Sequence, residues 1–349
     1  MADLAKRFDQ NPILRPQDVQ PSLNGLMVEC LLNPGTFRFQ GKTWLLLRVA
    51  ERPQQRDSVI STIVADPSTQ KGLKVLEFKK GDPLLGSDDD PRKFVYDGKL
   101  YLTTLSHLRL ASSEDGITFQ VAEFPTLVGQ GSLETFGIED CRVTEIEGRF
   151  YLTYTAVSSN GFGVGLRSTT NWRNFTHHSM IFSPPNKDCA LFPGKIGNNY
   201  FALHRPTGTS LGNSIWISRS PDLLHWGGHD CIVKIRPGMW DSARVGAGSS
   251  PIRTPEGWLE IYHGADEQNR YCLGALLLDL DEPTKVLARS QYPIMEPLMK
   301  YEKEGFFNDV VFTNGMVVDG DEITIYYGAA DLVICGATLS IEEVFRSLK

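Results

Sequence analysis

The sequence predicts an all-β fold, a β-propeller closed by one short C-terminal helix. Two observations carry this. First, one unit recurs at intervals of roughly 50–60 residues: an apolar-alternating strand, a glycine turn, then a strand rich in Tyr, Leu and Thr. Its copies turn at Gly41, Gly98, Gly148, Gly197, Gly257 and Gly320. "DG", "EG" and "GN" between alternating apolar runs are hairpin signals. Second, several copies continue into another strand and a polar turn of the pattern small-x-Ser-x-Asp followed by an aromatic, as in "SIWISRSPDLLHW". Each repeat then reads as about four strands with almost no helix between them. A sandwich is the alternative, but it does not explain this repeated grammar.

The first copy, "GTFRFQGKTWLLLRV", opens the series. The second, "RKFVYDGKLYLTTLS", is looser, and the segment around 81–106 reads as an insertion that decorates the first blade. The third, "RVTEIEGRFYLTYTA", follows the adjacent carboxylates Glu139 and Asp140. "LFPGKIGNNYFALHR", "SPIRTPEGWLEIYHG" and "FTNGMVVDGDEITIYYGAA" complete the set. Only the tail "SIEEVFRSL" has helical periodicity. No linker or low-complexity segment divides the chain, so residues 1–349 read as one catalytic domain.

Composition narrows the partners. The formal net charge is -7, which argues against nucleic acid or an anionic membrane surface. A small anionic substrate stays open, because a local basic cluster opposes the global sign. The six cysteines form no CxxC pair and no regular spacing, so a disulfide framework or zinc site is not expected. With no apolar leader at the N-terminus and no apolar run near the ~20 residues of a membrane span, the expected location is cytoplasmic. Asp88-Asp89-Asp90 lack the regular oxygen spacing of a calcium loop; a solvated turn is the better reading.

In a propeller the inner strands converge on an axial funnel. Charged residues at strand ends then meet from different blades. Asn33, Arg48, Glu139, Asp140, Arg142, Lys187, Asp188, His204, Arg205, Arg244, Tyr262, His263, Asn308, Asp309 and Asp331 are the candidates. Cations from several blades make a basic pocket that suits phosphate. A carboxylate opposite suits general-acid work, provided burial or a neighbour such as Glu139 raises its pKa. Plainer readings stand beside these. Arg142 and Arg205 serve equally well as structural ion-pair partners, and His204 alternates with apolar residues like a wall residue. His107, His177 and His178 read as surface residues, and Tyr101, Tyr151, Tyr154 and Trp258 as blade packing.

The ordered motifs "NPG…LLLR", "GIEDCRVTEIEGRFYLTYT", "NKDCALFPGKI", "HRP", "GAGSSPIRTPEGWLEIYHGAD" and "IYYGAADLVICGA" resemble glycoside hydrolase family 130, from about residue 11 to about 342. That family comprises mannoside phosphorylases and related β-1,2-mannosidases. The resemblance implies a five-bladed propeller and an inverting mechanism without cofactor or metal, with inorganic phosphate as co-substrate. It implies a catalytic acid at Asp140. It implies phosphate contacts at Lys187, Arg205, Arg244, His263 and Tyr271, and sugar contacts at Asn33, Arg48, Asp188 and Asp331, with Glu139 beside them. Lys187 stands where many members carry Arg, and Arg244 where Lys is frequent; both keep the charge. Many members are homo-oligomers. The expected reaction is phosphorolysis of β-1,2-mannobiose or short β-1,2-oligomannosides to α-mannose 1-phosphate. An inverting β-1,2-mannosidase, a phosphorylase with a glucose or N-acetylglucosamine acceptor, and a non-catalytic sugar-binding propeller are the alternatives.

Overall fold

Alternating apolar residues on both faces of successive strands require cover on both sides, and a ring of sheets supplies it. The computed structural model describes residues 3–86 and 92–349. Five antiparallel sheets of four or five strands follow one another along the chain. Blade one contains Leu26–Phe39, Lys42–Pro53, Leu105–Ser113 and Gln120–Val121. Blade two contains Ile138–Ile146, Arg149–Ser158, Gly161–Thr169 and Thr176–Phe182. Blade three contains Asn186–Leu191, Tyr200–Pro206, Ile215–Ser220 and Gly227–Val233. Blade four contains Arg244–Ala247, Gly257–Ala265, Tyr271–Leu278 and Val286–Arg289, with Ile252–Thr254 paired to its second strand. Blade five combines Val311–Asp319, Glu322–Ala329 and Val333–Ser340 with the early strand Lys6–Arg7. That last pairing fastens the two ends of the ring in one sheet.

Five apolar clusters lie between neighbouring blades. Phe37 and Leu46 meet Val143 and Leu152 between blades one and two. Val164 and Leu166 meet Leu191 and Ala202 between two and three. Leu203 and Ile217 meet Val245 and Trp258 between three and four. Leu259 and Ile261 meet Val311 and Ile325 between four and five. Leu45 and Leu47 meet Tyr326 and Ile334, which closes the circle. The second strand of each blade is consequently wet on neither face; all of Gly257–Ala265 is buried.

The second copy is not a blade. Gly98 turns a small hairpin, Lys93–Tyr96 with Lys99–Leu102, beside a second hairpin, Val59–Ala65 with Leu73–Lys79. Both lie between the second and third strands of blade one, so the insertion starts earlier than 81. Phe78 joins the two hairpins, with ring centroids 5.2 Å from Phe94 and 5.0 Å from Tyr101. The Asp88-Asp89-Asp90 run lies outside the described residues. The C-terminal helix spans Ile341–Ser347, and the Ser340 side chain caps it by accepting from the Glu343 N–H.

His107 corrects the surface expectation. It is fully buried in blade one, with Nε2 3.4 Å from Glu51 and 3.2 Å from Ser22 Oγ. Its carboxylate partner is 56 positions away along the chain, so the local pattern carries no sign of it. His177 and His178 are not fully buried.

Candidate active site

The inner strands share a device that the hairpin pattern does not reveal. In blades one, two, three and five the pairing slips on the innermost strand, between Leu32 and Gly35, Glu139 and Arg142, Lys187 and Ala190, and Thr313 and Gly315. Such bulges re-aim side chains. The residues released here are Asn33, Asp140, Asp188 and Asn314. Asp140 and Asp188 sit at φ +49° and +53°, a left-handed conformation that Asp and Asn tolerate better than most residues.

These groups connect across the axis. Asn314 Nδ2 donates to the Asn33 carbonyl at 3.2 Å, and Asn33 Nδ2 donates to Asp140 Oδ1 at 3.1 Å. Arg48 Nη1 binds the same oxygen at 2.9 Å, while its Nη2 reaches Glu139 at 2.8 Å. Arg142 crosses from blade two to donate to the carbonyls of Ala247 and Gly248 in blade four, and reaches Asp188 Oδ1 at 3.3 Å. Asp188 Oδ2 forms an ion pair with Arg205 Nη2 at 2.9 Å, and His263 Nε2 lies 3.2 Å from it. A Cβ at position 246 would stand 2.3 Å from Asp188 Oδ2 and 2.4 Å from His263 Nε2, so glycine is required there.

A second basic group adjoins this one. Arg244 Nη1 donates to the Tyr271 hydroxyl and Nη2 to Asn269 Oδ1, both at 2.8 Å. Tyr271 and His263 face each other with ring centroids 6.2 Å apart. Lys187 pairs in register with Arg205 and rests its ammonium 5.0 Å from the Phe162 ring centroid. Nε and Nη1 of Arg205 and Nε of Arg244 are buried without hydrogen-bond partners among the described residues. Buried cationic donors left over in this way suit an oxyanion.

Electrostatics assign the protons. Burial pushes the Asp140 carboxyl up, but Arg48, Arg142 and Lys187 outweigh it and leave it below its ordinary value. This differs from the raised acid that Glu139 was expected to promote, since Glu139 is itself tied to Arg48. Asp331 behaves oppositely: burial, opposed by Arg48 but reinforced by Asp140 and Glu139, raises its carboxyl to about 6. Burial also lowers His263 to about 4, against the pull of Asp188. His263 is therefore neutral near pH 7, not the cation that phosphate binding suggested. Asp188, expected at the sugar, directs both oxygens at cations, and these hold it well below its usual range despite its burial.

Other candidates do not join the cluster. Tyr262 donates to Asp241 away from the axis. Asn308 is exposed, its side chain accepting from the Gly305 N–H, while Asp309 offers its carbonyl to the Tyr271 N–H. His204 lines the wall, bonded to Asn186 and to Ser218. Sequence reasoning missed Asn314 and Glu260. Glu260 is fully buried, accepts the Gly248 N–H at 2.8 Å, and is pushed well above its ordinary value by burial. Its signal was a carboxylate inside the apolar run "GWLEIYHG".

Residues 86–349 match the family profile of glycoside hydrolase family 130, described as β-1,4-mannooligosaccharide phosphorylase. The chain belongs to family 130. It is 44% identical to the β-1,2-mannobiose phosphorylase of Listeria innocua, over 98% of both chains. It is 41% identical to a 1,2-β-oligomannan phosphorylase of Thermoanaerobacter sp., over 69% of this chain and 80% of that one. The solved structure of a Listeria innocua β-1,2-mannobiose phosphorylase in complex with β-1,2-mannobiose superimposes with a TM-score of 0.90, covering 99% of each chain at 42% identity. Family 130 membership thus rests on sequence and fold together, and the axial cluster lies within the matched residues apart from Asn33 and Arg48.

Proposed function

We propose that this protein cleaves β-mannosides by inverting phosphorolysis, with β-1,2-mannobiose or short β-1,2-oligomannosides as substrate and α-mannose 1-phosphate as product. One observation carries the reading: Asp140 is linked through Arg142 and Asp188 to Arg205, and Arg205 and Arg244 carry buried guanidinium nitrogens without partners among the described residues. The names of the similar proteins point the same way.

A hydrolase of this stereochemistry needs a base to deprotonate water. Phosphate arrives as an anion and needs only to be held in line with the anomeric carbon. In this proposal Lys187, Arg205 and Arg244 meet its charge, so no metal is called for. Tyr271 and neutral His263 orient it by hydrogen bonds. Asp188 holds Arg142 and Arg205 in place. Asn33 and Arg48 fix the Asp140 carboxylate; Glu139 and Asp331 complete the sugar side.

Phosphate also solves a proton problem. Arg48, Arg142 and Lys187 keep Asp140 ionised in the free protein. An anion bound at Lys187, Arg205 and Arg244 offsets part of the surrounding positive field and lets Asp140 take up the proton it must deliver. The acid then becomes competent only when the nucleophile is present. A cytoplasmic location suits a reaction that consumes inorganic phosphate and a chain whose six cysteines are all free; no helix among the described residues is long and apolar enough to cross a membrane. The test is turnover of β-1,2-mannobiose with and without phosphate. Equal release of mannose in both would refute phosphorolysis.

A further inference from the structure

A cleft of about 500 Å³ opens between blades two and three. Phe182, Trp216 and Trp226 give it aromatic walls, and Asn186, His204 and His229 give it polar edges. The reason for the cleft is a substitution within the repeat. In blade two, Tyr154 donates to Glu134 at 2.6 Å, and Arg167 binds that carboxylate at 2.6 Å and the tyrosine oxygen at 3.1 Å. Glu134 comes from the connector that enters the blade, so this clasp ties the connector to the second and third strands, and the cavity left beside it is smaller, about 200 Å³. Tyr262, Asp241 and Arg289 form a comparable clasp in blade four, and Tyr327, Glu302 and Arg7 in blade five.

Blade three replaces every member. Glu139 pairs with Thr155 as Lys187 pairs with Arg205, so His204 stands where Tyr154 stands. Tyr154 pairs with Gly165 and His204 with Trp216, which puts Ser218 in the place of Arg167 and a tryptophan in the place of a glycine. The entering connector, Ser183-Pro184-Pro185, has no carboxylate. An ionic clasp has become a network with no carboxylate or guanidinium: His204 Nε2 to Ser218 Oγ at 2.7 Å, and Ser218 Oγ to His229 Nδ1 at 2.6 Å. Phe182 stacks on His204 with centroids 4.2 Å apart. Burial lowers His204 to about 3, so it stays neutral. The Trp216 Nε1 donor is buried without a partner among the described residues.

Aromatic walls with a few neutral donors and acceptors suit a ligand that has apolar faces and hydroxyl edges. We propose that this cleft is a secondary binding site for a neutral hexopyranosyl residue, specifically a mannosyl unit of an oligomannoside. Asn186 precedes Lys187 and Pro206 follows Arg205, so the cleft flanks the proposed phosphate cradle on the same end of blade three. An oligomannoside held there stays beside the funnel between turnovers. The cleft follows from the geometry alone; the choice of mannose rests on the phosphorolysis reading.

The experiment is a titration of the Asp140→Asn protein in phosphate-free buffer, where phosphorolysis lacks its co-substrate, with β-1,2-mannotriose. Calorimetry and tryptophan fluorescence report the binding. Two binding events are expected. Trp226→Ala in that background should weaken one of them at least tenfold and leave the other unchanged. His229→Ala, at an exposed position, should do the same and serves if Trp226→Ala melts early. A single event in the Asp140→Asn protein, or two events untouched by both cleft variants, overturns the site. Binding of maltose but not mannotriose in the cleft overturns the mannosyl assignment. Phosphate-independent turnover by the unmodified protein would sink phosphorolysis while leaving the cleft event to be counted separately.

Discussion

Asp140 and Asp188 occupy the same position in neighbouring blades, one residue past the pairs Glu139–Thr155 and Lys187–Arg205, and both have left-handed φ. Their surroundings divide their work. Asp140 meets Arg48 and Asn33. Asp188 is 1% exposed and committed to Arg142 and Arg205. Asp140→Asn should therefore lower kcat by roughly 10²–10⁴, the usual contribution of a general acid. Asp188→Asn should instead cost stability, about 3–5 kcal/mol, because it strands buried guanidinium groups. Thermal melting beside kinetics separates the two; equal losses of activity with no difference in melting would contradict the division.

Arg205→Ala removes two buried donor nitrogens that have no partner among the described residues. Charge-assisted hydrogen bonds are each worth roughly 1.5–3 kcal/mol, so losing two should raise KM for phosphate about 10²–10⁴-fold or abolish phosphorolysis. The melting transition should stay cooperative, and Arg205→Lys should recover part of the loss. An unchanged phosphate KM would remove Arg205 from the cradle.

Asp331 is the axial carboxyl held up at about 6, chiefly by burial. A pH profile of kcat/KM for the free enzyme should show an ionisation near that value, and Asp331→Asn should abolish it. Asp140→Asn should leave it in the residual rate. If Asp140→Asn removes the ionisation and Asp331→Asn does not, the proton assignments are reversed.

Stability should fall on acidification from neutral pH. His107, His204 and His263 are all lowered, each first by burial. A histidine ordinarily titrates near ~6.5. The unfolded chain takes up protons below that pH while the folded protein does not, so stability is complete above about 6.5 and drains as pH falls. The loss continues to about 4 for His263 and about 3 for His204, at ~1.4 kcal/mol per histidine per pH unit. Asp331 and Glu260 oppose this, since their raised values favour the folded state as pH falls, but the lowered histidines outnumber them. Differential scanning calorimetry from pH 7 to pH 5 should show a falling Tm; a flat or rising one would contradict the neutral, buried histidines.

The blade order was legible because hairpins are local: glycine turns and two-residue alternation fall inside a short window. Asp140, Arg205 and Arg244 could be singled out for a similar reason, as charges placed against apolar runs. Contacts that cross blades were not legible. Nothing near His107 announces Glu51, and nothing near Tyr154 announces Glu134 and Arg167 as one clasp. The bulges were invisible too, because register belongs to a pair of strands and not to either sequence. The insertion was placed too late for a similar reason: the hairpin turning near Gly72 has the same alternation as a blade strand, and only its pairing shows that it stands apart.

The most direct test follows ³¹P resonances while β-1,2-mannobiose is incubated with inorganic phosphate. The account predicts that the phosphate signal is consumed one for one with disaccharide, that α-mannose 1-phosphate appears with inverted configuration, and that no sugar is released when phosphate is left out. Free mannose appearing at the same rate in phosphate-free buffer, with no sugar phosphate formed, would contradict it.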